Sequence, residues 1–219
     1  ILTKYAMESD EHAQKFLNGV FTFFFFVLIV VSTGLFFAIP WLTPFLFPSF
    51  EGQALNELVL VTRILLLSPI LFSLSNLLGS VTQMLHKFLA LSIAPVLYNL
   101  GIIIGAVFFY PAFGLIGLAG GVVLGAFLHF SVHFFVSSRN GFSLMASLRP
   151  SFSDVWEVIR VSLPRTIGLS VNQVALTALV ALAARMSEGS VTVFNFALNL
   201  QSVPLALIGV SYATAAFPA

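Results

Sequence analysis

Residues 16–46 read FLNGVFTFFFFVLIVVSTGLFFAIPWLTPFL, and this stretch decides the fold. It contains no charged side chain, and its apolar residues run continuously instead of alternating. A hydrocarbon core of about 30 Å needs roughly 20 helical residues to cross it. A barrel strand needs only about 10, with an alternating pattern. A bilayer offers backbone groups no water, so a continuous run of this length spans as an α-helix. The same reading repeats along the chain. After segment A (Phe16–Leu46) come B (Leu58–Leu85), C (Phe88–Phe109), D (Leu115–Val136), E (Val158–Ala184) and F (Val191–Phe217). The expectation is an all-α integral membrane protein with about six transmembrane helices.

Composition agrees. Of 219 residues, 59% are apolar and 8% charged, with 25 Phe and no Cys, whereas soluble domains are about a quarter charged. A soluble core of this size could not hide that much apolar surface. The Phe, Ile and Leu content excludes a disordered chain, and the missing cysteines exclude a disulfide scaffold and thiolate-bound metals. A formal net charge of +1 lacks the concentrated basic face that nucleic acid demands.

Punctuation and charge order the spans. Pro40, Pro44 and Pro48 mark the end of A, Tyr110-Pro111 with Gly114 a turn between C and D, and Ser187–Ser190 the break between E and F. Trp41, Tyr110 and Trp156 stand at segment ends, where interfacial aromatics belong. Lys4, Lys15, Lys87, Arg139, Arg149, Arg160 and Arg165 lie on one side, with only Arg63 and Arg185 on the other. This bias places the first side in the cytoplasm. The organisation expected is a cytoplasmic segment 1–15, four spans within 16–137, a cytoplasmic linker 138–156 and two spans within 157–219. Phe142–Leu148, apolar between Arg139 and Arg149, reads either as a segment lying on the inner membrane surface or as an ordinary loop. Ile1 at the start and Pro218-Ala219 just after a span read as the edges of a piece of a longer polytopic protein.

Inside apolar helices the informative residues are polar. B carries Ser73, Asn76, Ser80 and Gln83 below Pro69; E carries Thr166, Ser170, Gln173 and Thr177; F carries Thr192, Asn195, Asn199 and Ser202. Spacings of three and four put each set on one helix face. Such stripes either line a wet cavity or hold helices together by hydrogen bonds worth roughly 0.6–2 kcal/mol each. Arg63 and Arg165, near opposite ends of B and E, either snorkel to headgroups or attract an anionic headgroup through a paired guanidinium fork. Pro69 and Pro204 fall within spans and bend them, while Pro95 and Pro164 lie nearer helix starts. Gly101 and Gly105 in C, and Gly117, Gly121 and Gly125 in D, fit close helix packing. His129 and His133 share a face of D but have no third ligand nearby on that span, so no metal site is expected. No acid lies deep in any span, and no phosphate loop or catalytic set is visible. The chain is not expected to be an enzyme.

Several longer blocks carry a resemblance: VTRILLLSPILFSLSNLLGSVTQMLHKF (61–88), LSIAPVLYN (91–99), VIRVSLPRTIGLSVNQ (158–173) and GSVTVFNFALNLQSVPLALIGVSYATAAFP (189–218). Together they resemble the MurJ (MviN) lipid II flippase family of the multidrug/oligosaccharidyl-lipid/polysaccharide (MOP) exporter superfamily. The likeness covers nearly the whole chain in order. It implies a two-lobed, fourteen-helix transporter of which A–D are helices three to six and E and F helices seven and eight. It also implies translocation of lipid II across the bacterial cytoplasmic membrane by alternating access, driven by an ion gradient or membrane potential, without a bound cofactor. Implied partners are the undecaprenyl-linked glycan lipid, membrane lipids and cell-wall synthesis proteins. Asn76, Gln173, Asn195 and Asn199 are then the expected cavity-lining residues, with Arg63 and Arg165 as anion-attracting candidates. Many members carry Ala-Asp-Arg-Leu where this chain has Ala197-Leu198-Asn199-Leu200, so Asn199 stands where the family places an arginine toward the lipid pyrophosphate. Another lipid-linked polysaccharide flippase, a cation-coupled drug exporter and a non-transporting membrane scaffold are the alternatives.

Overall fold

The computed structural model describes residues 1–145, 147 and 151–210. Every regular element among them is a helix. A short α1 (Leu2–Glu8) leads into α2 (Asp10–Leu46), which Ser9 starts by accepting a hydrogen bond from the His12 amide at 3.1 Å. Asp10 and Glu11 in the first turn complement the helix dipole. Further on come α3 (Gly52–Leu65) with α4 (Leu67–Met84), then α5 (Phe88–Ile104) extended by a π-helical turn (Gly105–Phe109) and α6 (Tyr110–Phe113). The chain continues through α7 (Leu115–Arg139), α8 (Phe152–Ala183) and α9 (Ser190–Pro204), the last running on as a π-helical turn over Leu205–Val210. Five of these units are long and apolar enough to cross a membrane: α2, α3–α4, α5–α6, α7 and α8. The protein is therefore a multi-pass membrane protein. The end of segment F, 211–219, lies outside the described residues.

Prolines act differently from the sequence reading. Helix α2 continues through Pro40 and Pro44 to Leu46, so neither ends it. Pro95 and Pro164 are interior to α5 and α8, not near their starts, because α8 begins at Phe152. Spanning helices tolerate interior proline when another group satisfies the freed carbonyl. The α3–α4 break at Leu66 falls just before Pro69, whose missing N–H and bulky ring disrupt the preceding turn.

The tightest packing joins α5 and α7, which run antiparallel across a turn where Gly114 takes φ +59°. A Cβ added to Gly101 would collide with the Gly125 backbone, one on Gly105 with Gly121, and one on Gly117 with the Phe109 carbonyl. The two glycine ladders therefore mesh in one register, backbone against backbone. This packing is favourable in lipid, where helices gain little from burying apolar surface and much from close contact. Near the start of the chain a second cluster joins Leu2, Phe16, Leu17, Val20, Val81 and Phe142. Only the ends of α8 are buried, at Val155 and Ala183, and every residue from Val161 to Ala175 is exposed.

Candidate functional site

Four polar groups converge where α2, α4 and α8 meet. Ser73, Asn76 and Ser80 project from α4, and Ser162 from α8, into a cleft of about 560 Å3 walled by Phe16, Phe24 and other apolar residues. The spacing that put segment B's stripe on one helix face thus places most of it along a single hollow. Gln83, the last member, is exposed near the end of α4. Gln173, Asn195, Asn199 and Arg165 lie on exposed faces of α8 and α9 and do not line this cleft. The structure brings Asn76 together with Ser162, which the sequence reading did not single out.

Arg63 is elsewhere. Pro40 has no N–H for the Phe36 carbonyl one turn earlier. Arg63 Nε donates to that oxygen at 3.0 Å, and its guanidinium lies 4.4 Å above the Phe36 ring. The arginine thereby satisfies the carbonyl the proline orphaned and adds a cation–π contact.

The histidines of α7 face α4. Thr82 Oγ1 lies 3.0 Å from the Leu78 carbonyl and 3.1 Å from His133 Nδ1, hydrogen-bonding both. Ser75 and His129 Nδ1 are 2.6 Å apart, and the two imidazoles pack edge-on at 5.2 Å. Ser75 and Thr82 are fully buried, so this network joins α4 to α7 through hydrogen bonds that water does not replace.

Two further arrangements escaped the sequence reading. The first is a ladder on α2. Gln14 Oε1 accepts from the Ser143 amide at 3.0 Å, Asn18 Oδ1 from the Met145 amide at 3.0 Å, and Thr22 Oγ1 from the Ser147 amide at 2.8 Å. Side chains four apart on a helix recur every ~6 Å, so successive turns of α2 each present one acceptor to the passing chain. Residues 142–145 and Ser147 are thus pinned along α2, and Phe142 is buried beneath them at 4% exposure. Residues 142–145 form no regular element, as the loop reading expects, but the loop is held against α2. The signal was present in the sequence, since Gln14, Asn18 and Thr22 share the rhythm of the other stripes.

The second is a clasp between α1 and the start of α8. The Tyr5 hydroxyl lies 3.1 Å from both the Asp154 and Glu157 carboxylates, Lys4 is 3.8 Å from Glu157, and the Tyr5 ring stacks on Phe16 at 4.4 Å. Burial and the two carboxylates push the Tyr5 phenol well above its ordinary pKa of 10.0. The folded state favours the neutral phenol. The clasp's contribution is therefore complete below the unfolded pKa near 10 and is lost as pH rises above it. The protection factor of α1, its exchange rate relative to the intrinsic rate at each pH, is expected to hold steady between about pH 7 and 9 and to fall above about 10. Tyr5→Phe, which removes a bond to charged acceptors, should weaken docking by about 1–2 kcal/mol. Unchanged α1 protection in that variant would show that ring stacking alone holds the helix.

Residues 1–219 match the family described as "Lipid II flippase MurJ". The chain is 28% identical over 216 residues to the probable lipid II flippase MurJ of Borreliella burgdorferi, covering 96% of the chain and 42% of that relative. It is 30% identical over 174 residues to the lipid II flippase MurJ of Burkholderia cenocepacia, covering 77% of the chain and 34% of the relative. The probable lipid II flippase MurJ of Buchnera aphidicola subsp. Acyrthosiphon pisum is 25% identical over 224 residues, 99% of the chain and 43% of the relative. The chain spans less than half the length of these curated relatives.

Proposed function

This chain belongs to the lipid II flippase MurJ family, and from that premise we propose that it supplies part of a transporter carrying lipid II across the bacterial cytoplasmic membrane. In this reading 16–137 form four helices of a first lobe, and 157–219 open a second lobe. The start of the chain and the linker face the cytoplasm, as the distribution of Lys and Arg supports. The physical task is to move a polar, anionic headgroup past an apolar layer while the polyprenyl tail remains in lipid. An unpaired polar group in hydrocarbon costs several kcal/mol. A hollow that replaces water contacts by amide and hydroxyl contacts lowers that barrier, and opening to one side at a time prevents a leak.

The observation that carries the proposal is the cleft in which Ser73, Asn76 and Ser80 of α4 meet Ser162 of α8. It is formed between a first-lobe helix and the helix that opens the second lobe, where relative motion of the lobes would widen or close it. Gln173, Asn195, Asn199 and Arg165 lie outside this cleft. In this reading they meet the headgroup at a later point of its path, with Arg165 as the cation suited to an anionic group. Asn199 supplies hydrogen bonds where the family commonly has an arginine.

The test is lipid flipping by the full-length protein in proteoliposomes. Asn76→Leu and the Asn195→Leu/Asn199→Leu pair each remove hydrogen bonds to an anionic group worth about 1.5–3 kcal/mol apiece. Flipping is expected to fall at least tenfold with membrane insertion unchanged. Undiminished flipping removes those residues from the path.

A further inference from the structure

A second groove lies farther along α2, against α3 and α4, with a volume of about 570 Å3. Its lining is arranged by depth. Along α4 and α3 the distance from Met84, just before the turn to Lys87, to Arg63 is about 32 Å at ~1.5 Å per residue, and along α2 from Lys15 to Phe36 also about 32 Å. Both Arg63 and Phe36 therefore stand about one hydrocarbon thickness from the Lys15 and Lys87 end, with Trp41 81% exposed farther along α2. Ser32 and Thr33 lie one turn deeper, and Ile29, Leu67 and Ile70 line the floor within the hydrocarbon.

Three sets of donors in this groove have no protein acceptor among the described residues. Arg63 spends only Nε on Phe36, leaving the four N–H bonds of its terminal nitrogens, and it faces no carboxylate. The Ser32 and Thr33 hydroxyls donate to no carbonyl, whereas Thr22, Thr43 and Thr62 each bond the carbonyl four residues back. A cation at headgroup depth, hydroxyls one turn below and an aliphatic floor beneath them follow the order of phosphate, ester carbonyl and acyl chain.

We propose that this groove binds one glycerophospholipid of the leaflet opposite the linker. Its phosphate pairs with the Arg63 terminal nitrogens, its ester carbonyls accept from Ser32 and Thr33, and one acyl chain lies along Ile29, Leu67 and Ile70. The hydroxyls choose this occupant over a polyprenyl phosphate, which has no ester carbonyl to accept from them. The site is separate from the cleft lined by Asn76 and stands whether or not that cleft carries lipid II.

Native mass spectrometry of the full-length protein titrated with phosphatidylglycerol tests it. The wild type should retain one lipid tightly, with Arg63→Gln weakening that binding at least tenfold and Ser32→Ala/Thr33→Val about threefold. The double variant leaves the Arg63–Phe36 bond intact, so its loss cannot arise from a disturbed α2. Undecaprenyl phosphate should displace the bound phosphatidylglycerol poorly. Equal retention by the wild type and Arg63→Gln overturns the site, as does a wild type that retains no lipid because other helices of the protein fill the groove. Equal retention by the double variant, or ready displacement by undecaprenyl phosphate, overturns the choice of a glycerolipid.

Discussion

Gly121→Leu is expected to abolish the folded protein, and Gly121→Ala to lower its melting temperature sharply. The Cβ of any residue at 121 would meet the Gly105 backbone, with the Gly101 carbonyl close behind. Backbone cannot swing aside as a flexible side chain does, so α5 and α7 must separate. Overpacking costs about 1–3 kcal/mol in an ordinary core. Here one displacement also loosens the neighbouring contacts of Gly101 with Gly125 and of Gly117 with Phe109. A loss of several kcal/mol is comparable with the ~5–15 kcal/mol that holds a typical domain together. Gly34→Ala and Gly168→Ala are the controls, since a Cβ at either position meets nothing within 4 Å. Both lie inside helices, where Ala is favoured over Gly by roughly 1 kcal/mol. Thermal unfolding in detergent checks all four. A melting temperature for Gly121→Ala equal to that of the controls would mean the two helices do not approach as described.

The second large effect belongs to the linker. Gln14→Leu/Asn18→Leu/Thr22→Val strips the three acceptors that hold the amides of Ser143, Met145 and Ser147. At about 1 kcal/mol net per bond, and more where an amide is left unsatisfied, the linker should lose about 3–4 kcal/mol of anchoring. The sequence has no cysteine, so Met145→Cys provides a thiol in this region for a nitroxide label. The Met145 side chain is 62% exposed, while its amide makes the bond, so the label leaves the ladder intact. The spin label is expected to report a restrained linker in the parent and fast motion in the triple variant. Equal mobility in both would indicate that burial of Phe142, and not the ladder, fixes this segment. Through the ladder and the Tyr5 clasp, the position of α8 depends on α1 and α2 more than on contacts along its own length.

The sequence by itself determined the membrane class, the approximate positions of five long apolar helices, though not their ends, and the family. These follow from local quantities: run length without charge, the placement of Lys and Arg, and motif order. It also marked the glycine ladders and the polar stripe of α4, because helical period alone puts such residues on one face. Only the tertiary structure decided which faces meet. Helical spacing cannot show that Arg63 would answer the carbonyl left open by Pro40. Nor can it show that Ser75 and Thr82 would be the partners of His129 and His133, or that Gln14, Asn18 and Thr22 would grip a linker about 125 residues away in the chain. In lipid an apolar face carries no instruction about its neighbour, so the pairing of helices rests on backbone approach and hydrogen bonds, which exist only once the chain is assembled.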